Sequence, residues 1–192
     1  MNRFYLSYLL ISELLQIKEW EKMNENANIH KEIYDIEYKE KVKRELTKCL
    51  KKAGEELYLL DKNLICDNNF IDIHAHERSI CFKFGLYLNK YLDSNNLLKK
   101  YDLDAEYNRD IEGFKRLANR PNGCYPDLIL HKRGSNENNI LIIECKGWWA
   151  DDKDIEEDKE KIIAFLNSER YKYMFGLLII FNRENIVFNW ID

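Results

Sequence analysis

Three charged residues stand inside segments whose other residues are apolar. Asp127 follows a proline at the head of "PDLILH", and Glu144 and Lys146 sit two apart near the end of "ILIIECK". Burying charge is costly unless it is paired or bound to a metal. Residues two apart on a strand point to the same side. Glu144 and Lys146 therefore share a face, and a hairpin brings Asp127 beside them. Two carboxylates with no cation between them repel. A hard divalent ion resolves the repulsion, because it takes oxygen ligands and keeps several waters. Such an ion can polarise a phosphoryl oxygen and activate water. An ammonium alongside can orient the attacking water or stabilise charge on phosphorus. The set suits phosphodiester hydrolysis.

The elements that must position these groups are legible in the pattern. "CYPDLILHKR" reads as a strand, "GSNENN" as a turn and "ILIIECKGWW" as a second strand, which makes a hairpin. A helical pattern follows over 151–171, with Ile155, Ile162, Ile163, Phe165 and Leu166 apolar. Seven acids within 151–160 suit the N-terminal dipole of that helix and its solvation. "YMFGLLIIFN" and "NIVFNWI" read as two more strands. Upstream, residues 77–92 form a helix with Ile80, Phe84, Tyr87, Leu88 and Tyr91 on one face. Residues 101–110 alternate like a strand, and "NRPNG" is a turn. The order predicts an α/β fold with one mixed sheet flanked by helices. Residues 1–60 read as an N-terminal helical extension packed on a core of 61–192. The extension holds an apolar helix over 4–20, a loop over 24–30 and a basic helix over about 33–60.

Pro126-Asp127, seventeen residues on to Glu144, then Glu144-Cys145-Lys146, resembles the signature of the PD-(D/E)XK nuclease superfamily. The resemblance implies a restriction endonuclease-like core: a helix, a three-stranded meander, a helix and a further strand, matched in order over roughly 70–192. It also implies Mg²⁺ (or Mn²⁺) as cofactor, with Asp127 and Glu144 as ligands and Lys146 as the water-orienting or charge-stabilising group. Members often carry a glutamate in the first core helix. Glu77, at the head of "ERSI", takes that role of ligand or base. "ERSICFKFGLYL", "DAEYNRD", "PDLILHKRGSN" and "YKYMFGLLIIF" are similar to a group of small bacterial proteins found among mobile-element and defence genes.

Around this set, Arg109, Lys132 and Arg133 are candidate contacts for a nucleic-acid backbone, against ordinary surface roles for each. His131 is either an outer neighbour of the site or a satisfied structural histidine. His74 and His76, with Asp72, form a weak zinc candidate, since the chain offers no second matching motif. Trp148 and Trp149 can stack on unpaired bases or pack at a strand end.

Bulk properties narrow the function further. The chain has 192 residues, 45% hydrophobic, with a net charge of −4. It can bury a core, and it lacks the basic field of a protein that coats polyanions. Five cysteines without a CxxC read as reduced thiols. The 4–17 apolar stretch is too short and too interrupted to span a bilayer, so a cytoplasmic location without membrane contact is expected. The reading is a metal-dependent nuclease, acting on DNA before RNA. A homodimer would let one site per chain cut two strands. The alternative is a non-catalytic binding protein on the same scaffold, an inhibitor or regulator with a defence-system protein as partner.

Overall fold

The computed structural model describes residues 35–66, 73–110, 113–117 and 123–191. The 4–20 helix, the 24–30 loop, Asp72 and most of the "NRPNG" turn lie outside them. The chain divides into two compact units, 1–41 and 42–192. Of the first, residues 35–41 are described, and they are helical.

Helix α1, described over 35–60, enters the larger unit at Val42. Val42, Leu46, Cys49, Leu50, Ala53 and Leu57 recur at helical spacing and are buried. A 3-10 turn (Lys62–Leu64) follows, then α2 (Glu77–Asp93). The His76 side chain caps α2 by accepting from the Arg78 backbone N–H. Ile80, Phe84, Leu88 and Leu92 form the buried stripe of α2.

Strand β1 (Asp102–Ala105) is short because Glu106 takes φ +48, which breaks the extended run read over 101–110. The chain resumes as a small separate hairpin, β2 (Arg109–Asp110) and β3 (Gly113–Phe114). Then come β4 (Leu128–His131), β5 (Leu141–Gly147), α3 (Asp152–Leu166), β6 (Phe175–Phe181) and β7 (Ile186–Ile191). The five-stranded sheet runs β1-β4-β5-β6-β7. All its pairs are antiparallel except β5 with β6, which are parallel and joined through α3. A parallel pair needs such a crossover. The fold is α/β, a mixed sheet flanked by helices.

The inner strands β4, β5 and β6 are mostly apolar and buried because each side of the sheet is covered. On one side Gly85 of α2 sits against Leu128, and the rings of Phe84 and Phe181 meet edge to face at 5.6 Å. On the other, α3 lies so close to β6 that a Cβ on Gly176 would stand 2.2 Å from Ile162. Ile129, Ile142, Leu178, Ile162 and Phe165 form the core of that layer. Helix α3 ends at Leu166, five residues short of the helical pattern, with Asn167 as its C-cap. Tyr171 then turns inward, its hydroxyl bonded to the backbone of Arg116. Among the described residues no helix is long and apolar enough to cross a membrane.

Candidate functional site

Alternation along β5 puts Glu144 on the α3 side and Cys145 on the α2 side of the sheet. Strand β5 is central, so Glu144 is 1% exposed. Lys161 of α3 meets it: Nζ stands 2.6 Å from Glu144 Oε2 and donates also to the Tyr125 carbonyl at 2.9 Å. The second oxygen, Oε1, is buried with no hydrogen-bond partner among the described residues. Burial pushes the Glu144 carboxyl well above its ordinary pKa, with Lys161 opposing and Asp127 and Asp158 adding to the rise.

Asp127 stands just before β4, where the ladder between β4 and β5 ends. Its Oδ2 accepts the Cys145 backbone N–H at 2.8 Å. Burial raises its pKa, against the pull of that hydrogen bond and of Lys161. Cys81, on α2, and Cys145 bring their sulfurs within 4.8 Å of an Asp127 oxygen and of each other. Asp127 also opens on a cleft of about 250 Å³ lined by Arg78, Cys81, Phe82, Ala105 and Glu106.

Lys146 lies one strand period beyond Glu144. Its Nζ is 2.8 Å from Asp158 Oδ2 and 3.4 Å from Glu77 Oε1. Burial pulls its pKa down, but the Asp158, Glu77 and Asp127 carboxylates together outweigh it. The net shift is upward, so the group is a cation at neutral pH. Glu77 opens α2, where an acid is favoured by the dipole. It clasps the end of β5, its Oε2 accepting the Gly147 N–H at 3.2 Å.

Asp127, Glu144, Lys146 and Glu77 thus meet at one end of the sheet, from β4, β5 and α2. Two further members, Asp158 and Lys161, come from α3. Asp158 is 9% exposed, so it is not part of the solvated acidic face read for this helix. A signal for Asp158 exists in the sequence. Ile155, Asp158, Ile162 and Phe165 recur at helical spacing, so a charged residue interrupts an apolar stripe. Four carboxylates face two ammonium groups in a largely buried cluster, a surplus of two acids over bases. Two protons or one divalent cation would neutralise that surplus.

The remaining candidates lie elsewhere. Arg133 forms a two-pronged pair with Asp104 of β1, Nε to Oδ2 at 2.8 Å and Nη2 to Oδ1 at 2.5 Å. His131 is buried with Nε2 2.9 Å from the same carboxylate. Lys132 is exposed, and Arg109 lines a separate pocket at the far end of β4. His76 is the cap of α2, while His74 stacks on Trp149 at 3.4 Å between ring centroids. Trp149 also covers Gly147, where a Cβ would stand 2.3 Å from its ring. Trp148 donates its indole N–H to the Ile65 carbonyl. Both tryptophans are therefore engaged within the fold. All five cysteines are free thiols. None of the family models, curated proteins or solved structures compared with the chain matches it.

Proposed function

We propose that the chain is a metal-dependent nuclease of the PD-(D/E)XK kind, acting on nucleic acid, with DNA favoured over RNA. The carrying observation is the buried cluster of four carboxylates against two ammonium groups, in which one Glu144 oxygen has no hydrogen-bond partner among the described residues. Oxygen donors of this kind suit Mg²⁺ or Mn²⁺. Asp127 and Glu144 would hold the ion, with Glu77 completing the set. When bound, it would supply Lewis acidity toward a phosphoryl oxygen and a lowered pKa for water. The order helix, strand, strand pair, helix, strand in α2, β1, β4, β5, α3 and β6 agrees with the restriction endonuclease-like core.

The chain's own residues have distinct tasks in this reading. Lys146, kept cationic by Asp158 and Glu77, stabilises negative charge gathering on the phosphoryl group and orients water. Lys161 fixes the Glu144 side chain, which limits its reorganisation during the reaction. Arg78, Phe82 and Asp127 line the open approach. One site per chain cuts one strand, so cleavage of a duplex would use two copies.

One observation favours a second reading, a non-catalytic inhibitor or regulator. Both lysines already have carboxylate partners at 2.6 Å and 2.8 Å, as in a purely structural ion network. A panel of single- and double-stranded DNA and RNA, incubated with Mg²⁺ or Mn²⁺, separates the two. The nuclease reading expects cleavage that chelation stops and that Lys146→Ala abolishes without changing the circular dichroism. Intact substrates throughout the panel, with folded protein, would sink it and leave the binding role.

A further inference from the structure

The far end of β4 carries a second polar pocket. It has a volume of about 230 Å³ and is lined by Tyr107, Arg109, Asp110, Lys115, His131 and the turn Gly134–Asn136. At the strand rise of about 3.3 Å per residue, His131 lies roughly 13 Å along β4 from Asp127.

The charge balance here is the reverse of that at the carboxylate cluster. Lys115 is 1% exposed, yet no carboxylate among the described residues reaches ion-pair distance of its amine. Its Nζ donates to the Arg109 carbonyl at 3.1 Å and stands 4.7 Å from the Tyr107 ring centroid. An ammonium has three protons to donate. Burial pushes the Lys115 amine down to about 8, with Asp110 and Asp104 pulling weakly the other way. The one acid among the described lining residues is already held, Asp110 accepting from Arg170 Nε at 2.5 Å and from Asn136 Nδ2 at 2.8 Å. The exposed Arg109 adds a second cation at the rim.

We infer that this pocket is a binding site for a phosphomonoester group, with Lys115 and Arg109 as its principal contacts. A dianion matches two cations, and a guanidinium beside an ammonium offers both fork-like and point-charge donation. The volume suits a phosphate group and little beyond it, since sites for larger organic ligands run from about 300 Å³ upward. The phosphate belongs either to a small phosphorylated molecule or to the phosphorylated end of a nucleic-acid strand. The inference does not depend on the nuclease reading, because the pocket shares no residue with the carboxylate cluster.

Calorimetric titration of the full chain in chelator tests it, first with inorganic phosphate. Saturable binding is expected, weakened about tenfold or more by Lys115→Met and by Arg109→Ala. A dinucleotide with a 5′-phosphate, compared with its 5′-hydroxyl form, then identifies the source. A strand end is assigned if the phosphorylated dinucleotide binds tighter than inorganic phosphate, and a small molecule if it does not. Arg109 is exposed, so its variant remains informative if Lys115→Met fails to fold. No binding of phosphate up to about 10 mM, or equal binding by wild type and both variants, overturns the inference.

Discussion

Strand β4 ends in two opposite electrostatic situations. Before its first residue, Asp127 joins three other carboxylates that outnumber two lysines. At its last residue, His131 borders a pocket where a buried lysine has no acid at ion-pair distance among the described residues. The low dielectric of the interior makes both arrangements expensive, but in different ways. At the first end each cation stands within 3 Å of a carboxylate oxygen, so attraction offsets desolvation and the surplus is negative. At the second the desolvation of Lys115 exceeds the opposing pull of Asp110 and Asp104, and its pKa falls. A buried cation with no carboxylate at ion-pair distance among the described residues is destabilising, and an anionic ligand would supply the missing sign.

Substitutions at the two ends should therefore have opposite effects on stability. The largest change is expected at the carboxylate end. Lys161→Ala leaves Glu144 buried without its counter-ion and should destabilise by about 3–5 kcal/mol in urea or guanidinium titrations. An unchanged midpoint would mean that Glu144 is not held as an ion by Lys161.

The opposite sign is expected at the other end. The folded pKa of Lys115, about 8, lies below its ordinary value of 10.5. Between those values the unfolded chain binds more protons than the folded one. The penalty of the lysine is complete below about pH 8 and fades as pH rises toward 10.5. Lys115→Met should stabilise by on the order of 1–2 kcal/mol at pH 7, and by progressively less between pH 8 and 10. A destabilised variant at pH 7 would show that the hydrogen bond to Arg109 outweighs the charge.

Smaller effects separate the two ends further. Mg²⁺ at ten times its dissociation constant should stabilise the wild type by about 1.4 kcal/mol, seen as a rise in Tm. Glu144→Gln should lose that rise, whereas Lys115→Met should keep it. Smallest of all is Asp104→Asn. The exposed Arg133 loses a partner, with a stability change within about 1 kcal/mol. Burial holds the His131 pKa down and Asp104 opposes it, so the variant should titrate lower still by NMR.

The strand pair β4 and β5 was legible because period-two alternation and the intervening turn are local signals. The residues of the hairpin, its charged positions and Glu77 at the head of α2 could all be named from the sequence. The break in the 101–110 run was not legible. Glu106 adopts φ +48, and no glycine or proline marks the place. Asp158 was hidden among acids that local reasoning assigns to solvent and to the helix dipole. Lys115 was hidden more deeply, in a segment with no periodicity, where nothing short-range announces burial.

Chain chemistry alone settled which residues alternate, which recur at helical spacing and which charges sit inside apolar runs. Those properties follow from bonds and sterics acting over a few positions. Which carboxylate meets which lysine depended on α3 lying on β5, and on the parallel pairing of β5 with β6 that sets its register. Whether a lysine finds an acid or only a carbonyl depends likewise on elements distant in sequence. Desolvation and Coulomb attraction act through space, so the sign of each site emerged only once the layers were assembled.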